Sequence, residues 1–391
     1  MEYTKLKFIN QYKSESINPA KTPDTVFEMY SVPIYETGHP EFLRGDEIAS
    51  NKAVVQKNDI LLCKINPRIN RVWVVSDESD KMNIASSEWI VIRNSEYNPE
   101  FLAWYFRTPK FQKLMTSEVT GIGGSLTRAQ PKCVAEYPVP VLDRVKQDEI
   151  VAILNKCKFV IESRKQELDA LDDLIKARFV ELFGDPVKNP NEYYVATLQE
   201  LIDKGFITYH LDGNHGGDYP RSEEFVDSGV PYISANCIVN GEIDFAKAKF
   251  LTSERAAKLR KGIAQNEDVL FAHNATVGPT VVLHTDEEKV ILGTSLTAYR
   301  CNKEKIMPNY LKAYMLSDGF VRQYSGEMKQ TTRNQVPITV QKKYLFLIPP
   351  IEEQKQFADF VHQVDKSKVV VQKALDETQL LFDSLMQEYF G

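Results

Sequence analysis

No run of eighteen apolar residues occurs in this 391-residue chain, so no transmembrane helix and no membrane partner are expected. Met1-Glu2-Tyr3-Thr4-Lys5 does not open a secretory signal, and the expected location is the cytoplasm. Cysteine is sparse. Cys63, Cys133, Cys157, Cys237 and Cys301 lie far apart without a Cys-x-x-Cys pair, which gives neither a disulfide framework nor a zinc site. The six histidines form no His-x-x-x-His pair, and no bound metal is expected. Excess positive charge is missing too. The net charge is −6, of which residues 352–391 contribute −4 and the stretch 143–183 contributes −1. The remainder is nearly neutral, so overall charge lends no support to nucleic-acid binding.

Catalytic signatures are equally absent. Asn66-Pro67-Arg68 begins like the Asn-Pro-Pro-Tyr/Phe signature of DNA methyltransferases but lacks its second proline and its aromatic residue. No Gly-x-x-x-x-Gly-Lys-Ser/Thr loop offers a phosphate cradle, and Gly121-Ile122-Gly123-Gly124 fails the dinucleotide pattern at Leu126. Glu327-x-Lys329 and Glu287-x-Lys289 resemble half of a nuclease site without the acidic residue that should precede it. Asp212-Gly213-Asn214-His215-Gly216 gathers too few ligands for a metal and reads as a polar loop. The expectation is a chain without a catalytic residue, built for recognition.

What is present is a duplication. Ile150, Leu154, Cys157, Ile161, Arg164, Leu168, Leu171, Ile175, Arg178 and Leu182 alternate in steps of four and three, the seam pattern of a coiled coil. A shift of 207 residues gives a second seam in the same phase: Phe357, Val361, Val364, Lys368, Val371, Leu375, Thr378, Phe382, Leu385 and Tyr389. The residues between repeat as well. Asn58-Asp59-Ile60-Leu61 returns as Glu267-Asp268-Val269-Leu270, and Pro99-x-Phe101-Leu102 as Pro308-x-Tyr310-Leu311. Thr127-Arg128-Ala129-Gln130 returns as Thr332-Arg333-Asn334-Gln335.

Apolar runs at 60–62, 72–75, 89–92 and 137–141 read as strands, and Pro99 to Leu114 as one short helix. Gly184-Asp185-Pro186 ends the first long helix. The expected fold class is therefore α+β. Two similar globular α/β domains, 1–142 and 186–351, are joined and separated by long helices at 143–185 and 352–391. Equal halves pack most simply about a twofold axis, which makes the helices an antiparallel coiled coil, a rod of roughly 60 Å with a domain toward each end. Apolar residues off the seam, among them Phe159, Phe179, Phe183, Leu380 and Leu381, offer a surface for partner helices.

Several loops combine permissive backbone with side chains suited to base edges and phosphates. One carries Lys64, Asn66, Arg68 and Arg71, and its duplicate carries His273, Asn274 and Thr276. Another carries Thr127, Arg128, Gln130 and Lys132, with Lys329, Thr332, Arg333, Asn334 and Gln335 as its repeat. A fifth, with Asn214, His215 and Arg221, occurs only in the second half. Thr-Arg-x-Gln serves equally well as a helix cap, so structural and DNA-contacting roles stand side by side for Arg128 and Arg333.

The order domain, long helix, domain, long helix resembles the specificity subunit of a type I restriction–modification system. So do the junctions Val139-Pro140-Val141-Leu142-Asp143 leading to Gln147-x-x-Ile150, and Ile348-Pro349-Pro350-Ile351-Glu352-Glu353-Gln354 leading to Phe357. Gly229-Val230-Pro231-Tyr232-Ile233 and Asp268-Val269-Leu270-Phe271 with Thr276-x-Gly278 are also similar to that family. The first junction departs from the pattern, with Lys146 where glutamate is usual and two extra residues after its proline.

The resemblance implies two target-recognition domains, each reading half of a split site in double-stranded DNA. It implies a coil that sets the spacer and docks two methyltransferase (modification) subunits, which use S-adenosylmethionine. A motor–nuclease (restriction) subunit using ATP and Mg would join them, leaving this chain without a cofactor of its own. Two rivals are a coiled-coil scaffold carrying protein- or glycan-binding modules, and a metal-dependent nuclease built on Glu327 and Lys329.

Overall fold

The computed structural model describes residues 2–121, 127–214, 218–328 and 334–391. Two 40-residue helices, Arg144–Phe183 and Ile351–Phe390, occupy the two seams. Asp143 caps the first by accepting the Lys146 amide at 2.9 Å. Gly184, at φ +74°, closes it with its own amide on the Val180 carbonyl.

By compactness the chain divides into Met1–Lys165 with Lys373–Gly391, and Gln166–Gln372. The division cuts both long helices, so each unit owns one part of each. In the first unit, Ile150, Val151 and Leu154 share a core with Phe382, Leu385, Met386 and Tyr389. In the second, Phe357 lies against Phe179 and Phe183 with ring centroids 5.7 and 5.6 Å apart, while Lys368 pairs with Asp172. Contacts that climb one helix as they descend the other mean antiparallel packing in that unit. The ion pair explains how lysine is tolerated at a seam position.

Phe179 and Phe183 correct the sequence reading: both are buried in the second core rather than offered to partners. Phe159, Leu380 and Leu381 do stay exposed, at 69, 72 and 53%. Another correction concerns Pro99 to Leu114. This stretch forms two helices, Pro99–Phe106 and Pro109–Ser117, because Thr108 caps the second and proline follows it.

The duplication reaches single hydrogen bonds. In the first unit Glu2–Lys5 pairs with Pro138–Val141, and in the second Tyr194–Thr197 pairs with Leu345–Ile348. Each unit has a five-stranded sheet with one parallel pair near its middle, Val26–Tyr30 beside Met82–Ala85 and Val230–Ile233 beside Val290–Leu292. Each also has a second sheet built on Ile60–Cys63 or Val269–Ala272.

Those two strands are apolar throughout because both faces are covered. Ile60 and Leu62 enter one core while Leu61 and Cys63 enter another. Val269 and Phe271, then Leu270 and Ala272, divide in the same way. At the helix junctions Gln147 and Gln354, 2% and 0% exposed, make equivalent bonds. Gln147 accepts the Asn98 amide and donates to the Leu142 carbonyl, and Gln354 accepts the Met307 amide and donates to the Pro349 carbonyl.

Candidate nucleic-acid interface

In the first unit the loop after Ile60–Cys63 folds back beside residues 127–130. Asn66 takes a left-handed conformation, φ +46°, and its amide donates to the Thr127 carbonyl at 2.8 Å. Ile65 bridges Arg128, and the Ala129 amide reaches the Lys64 carbonyl. The second unit repeats the arrangement. Ala275 stands at φ +65° and donates to the Asn334 carbonyl at 2.9 Å; Asn274 bridges Gln335, and the Val336 amide reaches the His273 carbonyl.

These bonds correct the register read from the sequence. Thr127 corresponds to Asn334 and Arg128 to Gln335, two residues away from the match of Thr-Arg-x-Gln with Thr332-Arg333-Asn334-Gln335. Short polar identities in a loop do not fix alignment; the backbone pairing does.

The expected contact residues fall into distinct groups. Arg68 and Lys132 are exposed, and Lys64, Asn66, Arg71, Thr127 and Gln130 are half-buried beside them. Arg68 is held from behind, its carbonyl accepting Gln112 Nε2 at 2.6 Å, while Asn70 ties the loop to the Phe106 carbonyl at 3.2 Å. Gln130 hydrogen-bonds Thr120. Arg128 lies on the Glu88 carboxylate through Nε and Nη2 at 3.2 and 3.1 Å, which raises its pKa further and fixes its direction. Glu88, Gln112 and Asn70 escaped sequence reading, since their partners lie roughly forty residues away and share no pattern with them.

In the second unit Thr276, Asn334 and Gln335 are exposed and Asn274 is half-buried. His273 and Asn214 differ from expectation. His273 is 1% exposed and shares a 2.8 Å hydrogen bond with Thr297, and Asn214, 3% exposed, donates to the Lys261 carbonyl at 2.6 Å. Both hold loops in place rather than reaching outward. Arg221 is exposed; its amide donates to Glu224, which Arg255 also grips. His215, Lys329, Thr332 and Arg333 lie outside the described residues, as do Lys329 of the nuclease triplet and most of the Gly121–Gly124 turn.

Beneath the second unit's loops runs a buried polar chain that sequence reading missed. Gln341, fully buried, donates to Thr297 and to the Val336 carbonyl, and accepts from Tyr299 and His210. Burial pushes the His210 imidazole down to about 4, so it stays neutral in the fold. The duplicate positions of Thr297, Tyr299 and Gln341 hold Ile90, Ile92 and Val134 in the first unit. One loop pair therefore rests on a polar network and the other on an apolar floor.

Residues 192–378 match the family profile of the type I restriction modification DNA specificity domain. That stretch carries a domain of the type I restriction–modification specificity family. Across 95% of its length the chain is 20% identical to the type I restriction enzyme MjaVIII specificity subunit of Methanocaldococcus jannaschii, covering 87% of that protein. Solved structures agree on the fold of this family. The type I restriction–modification S subunit from M. genitalium superposes with a TM-score of 0.59 at 14% identity, over 100% of this chain and 96% of that one. A chain from a structure of type I R-M system assembly and conformational transition gives 0.56 at 19% identity, over 100% and 97%. No helix among the described residues is long and apolar enough to cross a membrane.

Proposed function

We propose that this chain is the cytoplasmic, non-catalytic subunit that reads a bipartite site in double-stranded DNA, one half-site per unit. The observation that carries this reading is the repeated loop pair: equivalent backbone bonds, Asn66 to Thr127 and Ala275 to Asn334, hold two loops of different side chains. A shared frame with divergent loops is what two independent readers require. Arg68, Arg71 and Arg128 in one unit, and Asn274, Thr276, Asn334, Gln335 and Arg221 in the other, are the side chains assigned to DNA. Lys64, Asn66, Thr127, Gln130 and Lys132 border the first set.

Methyl transfer belongs to two modification subunits carrying S-adenosylmethionine, and cleavage to motor–nuclease subunits using ATP and Mg. Partner subunits supplying phosphate contacts reconcile DNA binding with a chain of net charge −6. The test is exchange of residues 1–142 for the same region of another family member, followed by methylome sequencing. One half of the methylated motif should change and the other stay. A change in both halves, or methyl transfer by the isolated chain, overturns the reading.

A further inference from the structure

The second unit contains a cavity of about 520 Å³ between its parts of the two long helices and the helix Pro308–Leu316. Ala313, Leu316, Ile175, Phe179, Val361 and Asp365 are among its walls. The internal duplication shows what such a space holds. Ala313 corresponds to Trp104 of the first unit, Ile175 to Phe382, Leu316 to Arg107 and Asp365 to Lys158. In the first unit those residues enclose an indole. Trp104 is 6% exposed, its ring 5.5 Å from that of Phe382, with Arg107 and Lys158 over it at 5.2 and 5.9 Å, and its Nε1 donates to Asn155 at 2.9 Å. The second unit keeps the position but has a methyl group where the indole stands, and its surround is changed, with Ile175, Leu316 and Asp365 in place of Phe382, Arg107 and Lys158.

We propose that this cavity is a binding site for a flat aromatic ring system of about indole size supplied from outside the unit. Ile175, Phe179 and Val361 give apolar faces for a ring. Asp365 is half-buried and has no hydrogen-bond partner among the described residues, which leaves a carboxylate acceptor for a ring N–H. Its carboxylate shares the wall with the Lys312 and Lys368 ammonium groups, so the site offers a ring N–H an acceptor set beside cations. Leu316 and Val180, 49 and 54% exposed, line the mouth and leave it open to an incoming group. The volume falls within the roughly 300–1,000 Å³ typical of small-molecule pockets, large enough for the ring and a substituent.

The ring has two sources, a free aromatic molecule or an aromatic side chain of a partner protein. Indole is the probe, titrated against the full chain by ligand-observed NMR. Saturable binding is expected, with a dissociation constant below about 1 mM. Ala313→Trp should fill the space as Trp104 does, abolish saturation and leave the melting temperature unchanged or higher. Ala313→Phe serves as the second filling variant. Trp104→Ala, which opens the first unit's equivalent space, should add a second indole site. Absence of saturable binding to the native chain, or binding that survives in a folded filling variant, overturns the proposal.

Repeating the titration on the complex with methyltransferase subunits separates the sources. Loss of the site there identifies a partner's side chain, and retention identifies a free molecule. Only this last arm rests on the proposed assembly, so failure of that assembly is distinguishable from failure of the site.

Discussion

Arg93 closes on Asp59 with Nε and Nη2 at 2.7 and 2.6 Å, and the second unit repeats the fork with Arg300 on Asp268 at 2.9 and 2.8 Å. Each carboxylate is 1% exposed and also accepts a backbone amide, from Gln56 or from Gln265. Two buried ion pairs at equivalent places make the duplication a matter of electrostatics as well as of shape.

Arg93→Ala leaves the Asp59 carboxylate buried with no guanidinium, at a cost of about 3–5 kcal/mol. The three tryptophans, Trp73, Trp89 and Trp104, all lie in the first unit, so urea unfolding followed by tryptophan fluorescence reports this loss directly. Arg300→Ala should move a circular-dichroism transition and leave the fluorescence midpoint in place. A fluorescence midpoint unchanged by Arg93→Ala removes the pair from the stability argument.

Stability of the second unit should fall on mild acidification. An unfolded histidine titrates near 6.5, whereas His210 in the fold is held down to about 4 by burial. The contribution is complete above pH 6.5 and is lost progressively as the pH drops toward 4, about 3 kcal/mol in all. Guanidinium midpoints at pH 7 and pH 4.5 should converge in His210→Phe. Equal pH dependence in the variant and the native chain would place the effect elsewhere.

Glu88→Ala removes the carboxylate that directs Arg128. If Arg128 contacts phosphate, the assembled complex should bind non-specific duplex more tightly, with a salt slope steeper by about one ion. Arg128→Ala should have the opposite effect. Salt slopes unchanged in both variants take Arg128 out of the interface.

A heptad inserted between Glu167 and Leu168 keeps the seam in phase and adds about 10 Å, or roughly three base pairs. The expected result is a methylated motif with the same half-sites and a longer spacer, or loss of modification where the duplex cannot twist to follow. Insertion of three or five residues shifts Leu168, Leu171 and Ile175 off the seam and should destabilise the helix pair. An active heptad variant with the original spacer shows that this helix does not set the distance.

Much of the fold was legible because it is written as periodicity. The four–three seam gave both long helices to within a residue or two, and the phase shift of 207 residues gave the duplication. Junction glutamines and the Asn58–Asp59 turn belong to the same readable layer, since backbone geometry constrains them. The loops were readable only as a location. Nothing near Arg128 announces Glu88, and nothing near His210 announces Gln341, 131 residues away. His273 and Asn214 look like contact residues because polar side chains in loops serve burial and recognition equally well; only their accessibility separates the roles.

The division of the chain has a temporal consequence. The second unit is a single stretch, Gln166–Gln372, whereas the first needs residues 373–391 to finish its core. On a ribosome adding about 5–20 residues per second, the head synthesised first waits on the order of ten to forty seconds for Phe382 and Phe390. Those rings cover Trp104, Phe101 and Tyr105. During synthesis the amino-terminal head therefore carries an aromatic patch that stays uncovered until residues 373–391 arrive.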